Sequence, residues 1–398
     1  MLIDHRPSPG RRTARWTLAG VALAATVTAA AAIPATMQAA RRDASGTLKI
    51  ETVAVPKPGN GQVLVQVYAA AANPSDWRTG GGGPPGGAGG PPGGAGGPPG
   101  GAGGAPGGAG AGGPPGGGTG GPPGAGGPPG AGGPGGPGGR MGARNPGNDF
   151  AGVVVEVGAG VTDFKAGDKV VGALQQAGGG AYAQYAVALD SVLSLKPTRF
   201  TFEQAAGIPT AGFTGLRMVL LGDVKKGERV VVIGAAGGVG STAVQVAHAR
   251  GAHVITIAAS QHNAYLRSIG ADETVDYDKG DVAGKVRDAD VVINAVGSQN
   301  AASLGYARRG GRVVLIAGQP DQSACAAAGL TCINGGPGKG PSDGQLIKDL
   351  VQMADAGTYT VQVEKAFPLS QVNEAYAYGR TGNRQGKVVI DIHDATSR

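Results

Sequence analysis

The stretch Val230-Val231-Val232-Ile233-Gly234-Ala235-Ala236-Gly237-Gly238-Val239-Gly240 decides the fold. An apolar run enters a glycine-rich turn, and a helical pattern leaves it with Val239, Ala243, Val246 and Ala247 on one face. In the usual Gly-x-Gly-x-x-Gly spacing the first glycine is replaced by Ala235, while Gly237 and Gly240 fill the second and third places. Gly237 lets the backbone approach a pyrophosphate, and Gly240 lets the helix pack tightly on the strand. Together Ala235, Ala236, Gly237, Gly238, Val239 and Gly240 form a turn that sets a phosphate against the free N–H groups and positive end of a helix. A plain tight turn is the bland alternative. The strand before and the helix after favour a dinucleotide site.

Apolar strands alternate with helices on either side of that turn: Arg229 to Gly234, Val254 to Ala258, Asp290 to Ala295 and Arg312 to Ala317. This alternation predicts a doubly wound parallel sheet, an α/β fold. The second strand ends in Ala258-Ala259-Ser260-Gln261-His262-Asn263. A site for NAD usually carries Asp or Glu there to hold the ribose 2′-hydroxyl. None is present. Ser260 and Asn263 can donate to a 2′-phosphate, and His262 and Arg267 can add positive charge, so the expected cofactor is NADP(H). His262 as a solvated loop residue is the alternative. Asn294 and Val296, and then Ala317 and Gly318, follow successive strands and so face the cofactor from the carboxyl ends of the sheet.

Before this region the texture is strands and turns. Val63 to Val67 follows the turn Pro56 to Gly61, and Val153 to Gly158, Val170 to Gly172, Ala181 to Val187 and Val192 to Leu195 read as further strands, with a helical stretch over Phe202 to Leu221. The strand around Lys387 to Ile392 either returns to this first domain or finishes the parallel sheet. About 36 of the 79 glycines and about 15 of the 28 prolines fall between positions 80 and 139, a composition that buries nothing and reads as a disordered surface insertion. Its seven-residue unit, as at Gly82 to Ala88, lacks the three-residue glycine period of collagen. The two cysteines exclude a disulfide scaffold and a four-cysteine zinc lobe. The net charge is +7, partly carried by Arg6, Arg11, Arg12 and Arg15 near the N-terminus, and no basic stripe interleaved with aromatics points to nucleic acid. Those arginines precede an uncharged, mostly apolar run from Leu18 to Ala35, which reads as a signal peptide or signal anchor. A membrane contact is expected only through this leader. The chain body then lies outside the cytoplasm, exported or anchored. Translation from Met37 is the alternative and would leave it cytoplasmic.

Val63 to Val67, Asn73-Pro74-Ser75-Asp76-Trp77, Asp149-Phe150-Ala151-Gly152, Gly167-Asp168-Lys169-Val170 and Ala235 to Gly240 occur in an order that resembles the medium-chain dehydrogenase/reductase superfamily. Within it the likeness is to the zinc-independent quinone oxidoreductase branch, which also contains enoyl reductases. The resemblance implies a GroES-like β-rich catalytic domain, split in sequence, and a Rossmann domain with the cleft between them. The implied organisation is a leader over 1–36, the catalytic domain over 37–78 and 140–205, the Gly/Pro-rich insertion over 79–139, the NADP-binding domain over 206–345 and a return to the catalytic domain over 346–398. It falls silent over Gln319 to Ser342, which reads as a loose insertion. It places Asn73 and Thr214 beside the nicotinamide as catalytic-site residues, although Thr214 also reads as an ordinary helix residue. Lys387 resembles a late cofactor contact, with an exposed lysine as the alternative.

Zinc-dependent members carry Cys within the segment Asn73 to Trp77 and His-Glu where this chain has Asn148-Asp149, so no zinc is expected, and Asp76 and Asp149 read as structural. The implied activity is hydride transfer from NADPH to a quinone or enone. An enoyl-thioester reductase and a non-catalytic exported scaffold are the other readings, and a homodimer is left open. Cys325 and Cys332 lie in the loose stretch. In an oxidising compartment they are expected to pair, which needs Cα atoms within about 7 Å.

Overall fold

The computed structural model describes residues 32–43, 45–77, 145–174, 180–336 and 338–393. Most of the leader and all of the 79–139 insertion lie outside them, so both readings stay with the sequence. Among the described residues no helix is long and apolar enough to cross a membrane.

Two sheets organise these residues. The parallel sheet is built from β8 (Arg229–Ile233), β9 (His253–Ala258), β10 (Glu273–Asp276), β11 (Ala289–Asn294), β12 (Ala307–Leu315) and β13 (Thr331–Asn334). They lie side by side in the order β10-β9-β8-β11-β12-β13, and every neighbouring pair is parallel. Val230, Val231 and Val232 of β8 are all buried, as a strand covered by helices on both faces requires. The strand order turns back at β8, and ligands sit at the carboxyl ends of the strands beside such a reversal.

The second sheet holds β3 (Gln62–Ala72), β4 (Asp149–Val157), β5 (Lys169–Ala173), β6 (Tyr185–Leu189), β7 (Leu193–Leu195), β14 (Val363–Pro368) and β15 (Lys387–Asp391). β3 is its spine: it pairs antiparallel with β4, β6 and β15. The C-terminal strand therefore returns to the first lobe instead of finishing the parallel sheet. A separate antiparallel hairpin, β1 (Thr36–Arg42) and β2 (Leu48–Ala54), precedes it.

Two expectations change. The helical stretch from Phe202 to Leu221 is two helices, α2 (Phe202–Ala206) and α3 (Pro209–Leu221). Thr201 and Gln204 cap α2 reciprocally, and Pro209, which lacks an N–H, begins α3 at its first turn. The stretch from Gln319 to Ser342 is not loose: it supplies α7 (Gln322–Ala327) and the edge strand β13. Asp321 caps α7 by accepting from the Ser323 and Ala324 N–H groups. Cys325 and Cys332 are joined by a disulfide with Cα atoms 6.1 Å apart, which ties α7 to β13. The remaining helices are α1 (Pro74–Trp77), α4 (Gly238–Ala249), α5 (Asn263–Ser268), α6 (Asn300–Leu304), α8 (Asp343–Asp355) and α9 (Val372–Arg380).

Candidate active site

The glycine-rich turn leaves β8 at Gly234, whose φ of +73° is the left-handed conformation that favours glycine. Gly234, not position 235, thus makes the sharp turn, and Ala235 is buried behind it. A Cβ on Gly240 would lie 2.2 Å from the Gly234 carbonyl oxygen, so Gly240 allows α4 to close on the strand. Gly237 is the N-cap of α4, and a Cβ there would meet nothing nearer than 3.7 Å. The open face at Gly237 and the free N–H groups at the start of α4 fit a pyrophosphate. Asn294 is buried, with its amide bonded to Asn300 at 3.1 Å and its Oδ1 accepting from the Val296 N–H at 2.9 Å. Val296 packs over Gly234. The Ala317 carbonyl accepts from Asn300 at 3.1 Å, and Gly318 has a φ of +79°. These four residues therefore lie around the carboxyl ends of β11 and β12, on the same side of the sheet as the turn.

The first lobe reaches this turn through Gly386 and Lys387. Gly386 forms a parallel bridge with Gly237 and donates its N–H to the Ala236 carbonyl at 2.8 Å. The Lys387 side chain passes against Gly238, and its Nζ donates to Asn73 Oδ1 at 2.5 Å and to the Ala72 carbonyl at 3.2 Å. Lys387 is buried, so the reading as an exposed lysine does not hold. Asn73 Nδ2 in turn donates to Asp149 Oδ2 at 2.9 Å and to the Ala71 carbonyl at 3.3 Å. Asp149 also accepts from the Thr210 N–H at 3.0 Å and from Thr210 Oγ1 at 2.5 Å. Asp76, in the short helix α1 that follows β3, accepts from the Asn73 N–H at 2.8 Å, from Tyr182 Oη at 2.9 Å and from Asn148 at 3.1 Å.

One buried cation thus faces two buried carboxylates. Burial raises the Asp76 carboxyl to about 7 and, with Lys387 opposing, raises Asp149 as well. Burial lowers the Lys387 ammonium, and the two carboxylates oppose that shift. The cluster joins Asn73 and Lys387, but through protein partners: both amide hydrogens of Asn73 are committed to Asp149 and Ala71. Thr214 lies one turn beyond Thr210 on α3, half-buried beside Gly215, where the helix meets Val239 and Thr242 of α4.

At the far edge of the turn, Ser260 follows β9. Its N–H and Oγ each donate to Asp278 at 2.9 Å. Asn263 donates to Asp276 at 2.8 Å, while its Oδ1 is buried with no partner. His262 is buried, 4% exposed, and so is no solvated loop residue; its ring meets Gln385 and Gln261 at 3.3 Å. Arg267 turns to Thr274 at 3.2 Å. Thr210, Tyr182 and Asp278 were missed in the sequence. Thr210 stood inside the stretch that carries Thr214, but nothing local marked its pairing with Asp149.

A six-stranded dinucleotide-type sheet joined to a GroES-like β lobe is the architecture of the two-domain dehydrogenases and reductases. Family profiles agree: an alcohol dehydrogenase GroES-like domain matches residues 134–198, an alanine dehydrogenase/PNT C-terminal domain residues 203–304 and a zinc-binding dehydrogenase residues 269–390. The chloroplast envelope quinone oxidoreductase homolog of Arabidopsis thaliana is 31% identical over 269 residues, 62% of this chain and 79% of that protein. The NADPH-dependent alkenal/one oxidoreductase of the same plant is 33% identical over 255 residues, and the match spans 62% of this chain but only 63% of that relative's length. Among solved structures, the quinone oxidoreductase from Coxiella burnetii shares the fold with a TM-score of 0.68 and 23% identity, over 90% of this chain and 100% of that one. A cobalt- and zinc-bound alcohol dehydrogenase from Pyrobaculum aerophilum superposes with a TM-score of 0.65 and 25% identity, over 90% of this chain and 100% of that one. The chain belongs to the medium-chain dehydrogenase/reductase superfamily.

Proposed function

We propose that this chain is a zinc-independent reductase that passes a hydride from NADP(H) to a small quinone or enone. The observation that carries the reading is the junction at Gly386-Lys387: the residue that bridges to Gly237 of the phosphate turn is followed by the one that donates to Asn73, which in turn donates to Asp149. Gly237, Gly238 and the start of α4 would hold the pyrophosphate, and Ser260 would meet the adenosine ribose. The nicotinamide, when bound, supplies the hydride. Lys387, Asn73, Asp149 and Thr210 form the wall where the two lobes meet. Lys387, Asn73 and Asp149 are buried, Thr210 is half-buried, and the hydrogen bonds among them would fix this side of the cleft. Thr214, half-buried on α3 one turn beyond Thr210, would offer its hydroxyl to steady charge developing on a reduced oxygen. Names of the plant relatives support quinones and alkenals as the acceptor class.

No metal enters this reading. Asn73 and Asn148 stand where zinc-dependent members carry thiolate and imidazole, and neither amide is a zinc ligand of that kind. The leader supports an exported or membrane-anchored body, and sequencing the mature N-terminus tests that. The activity itself is tested by following oxidation of NADPH against a panel of quinones, enones and enoyl thioesters. Turnover with quinones or enones is expected; turnover confined to thioesters, or none, overturns the proposal.

A further inference from the structure

Asp278 lies in the short turn after β10, yet its carboxylate sits at the end of β9. The parallel register brings it there, since Asp276 pairs with Ala258 and the two chains leave the sheet side by side. Asp278 Oδ1 accepts from the Ser260 N–H and Oδ2 from Ser260 Oγ, both at 2.9 Å. These are the donors that Ser260 would offer a 2′-phosphate. The surrounding cations are otherwise engaged: Lys279 pairs with Asp276 at 3.7 Å and Arg267 donates to Thr274. The Ser260 N–H holds the Asp278 carboxyl below the usual carboxylate range, so it is ionised at neutral pH. A phosphate monoester at that place brings nearly two further negative charges, and like charges at contact distance repel. A 2′-hydroxyl has the opposite relation to a carboxylate, because it can donate to it. The acid that a NAD site carries at the end of the second strand is thus supplied here from the end of the third.

Resting on the reading of a nicotinamide dinucleotide site, we propose that Asp278 is the cofactor-specificity residue of this chain. Its carboxylate accepts the ribose 2′-hydroxyl and competes with a 2′-phosphate for Ser260, so NADH is admitted alongside NADPH. Replacing the carboxylate by an amide keeps the shape and removes the charge.

The test is direct binding, read as Kd from nucleotide fluorescence, for NADH and NADPH with the full chain, Asp278→Asn and Asp276→Asn. The wild type is expected to bind both within about tenfold of each other. Asp278→Asn is expected to move the NADH-to-NADPH Kd ratio toward NADPH by about tenfold or more, whereas Asp276→Asn, whose carboxylate does not touch Ser260, is expected to move it far less. An unchanged ratio in Asp278→Asn while both nucleotides bind overturns the specificity role alone. An equal change in both variants reduces it to general charge and overturns the bidentate account. Binding of neither nucleotide to the wild type overturns the dinucleotide reading and this inference with it.

Discussion

Gly240 and Gly237 are both glycines of one turn, but they exclude a side chain for different reasons. At 240 the obstacle is the protein itself: a Cβ would overlap the Gly234 carbonyl oxygen at 2.2 Å and the Ala235 Cα at 2.7 Å. Gly240→Ala is therefore expected to destabilise by about 1–3 kcal/mol, read from the urea midpoint. At 237 the protein leaves room, and the φ of −73° suits any residue. Gly237→Ala is expected to lose about 1 kcal/mol or less of stability while weakening dinucleotide binding, because the methyl stands in the space a pyrophosphate takes. Asp76 gives a second prediction at this scale. Its carboxyl rises from 3.8 to about 7 on folding because it is buried. Between those values the folded chain holds a proton that the unfolded chain has released, so stability falls as pH rises through that window and levels off above it. The Asp76 contribution is at most about 4 kcal/mol. Asp76→Asn, which keeps an acceptor for Tyr182, is expected to flatten that slope in unfolding curves taken from pH 4 to 8.

The elements differ in how plainly the sequence announces them. β8, β9 and β11 each carry an apolar run, Val230 to Ile233, Val254 to Ile257 and Val291 to Ile293, with only Thr256 interrupting, so their place in a parallel sheet was legible. α7 and β13 were not. Ser323-Ala324-Cys325-Ala326-Ala327 has small side chains with little periodicity, and Thr331 to Asn334 is too short to show any. Those two elements are specified by tertiary partners: pairing of β13 with β12, and the Cys325–Cys332 bond. The same contrast runs through the candidate site. Gly237, Gly240 and Lys387 carried recognisable local context, while Asp278 acquires its place only from the β9–β10 register. The disulfide closes a loop of about eight residues, which corresponds to about 2.5 kcal/mol in the chain-entropy account. Reduction, or the double replacement of both cysteines by serine, is expected to lower stability by up to that amount. Urea midpoints with and without reductant check it, and no shift would mean that β13 pairing alone holds the segment.

At the scale of the molecule, the parallel sheet and the β3-centred sheet meet where Gly386 and Lys387, at the entry to β15, lie against the phosphate turn. The donors at this junction are a poor set for a divalent metal. Asn73 and Asn148 donate to Asp149 and Asp76, and Thr210 arrives from α3 to donate to Asp149 as well. Amides and a hydroxyl are weak ligands for zinc, which is held by thiolate, imidazole and carboxylate. The two carboxylates that remain, Asp76 and Asp149, each accept three hydrogen bonds, from Asn73, Asn148 and Tyr182 and from Asn73 and Thr210 respectively. Lys387 already brings a positive charge to Asn73, so a zinc ion would face a fixed ammonium and would have to displace several hydrogen bonds to reach any ligand. Among the described residues no group of three or more His, Cys, Asp or Glu side chains is placed to hold a metal. Exhaustive chelation is therefore expected to leave NADPH-dependent quinone or enone turnover intact, and added zinc to leave the melting temperature unchanged. Loss of turnover on chelation with recovery on zinc would show that the cluster rearranges to bind metal, and the metal-free reading would fall.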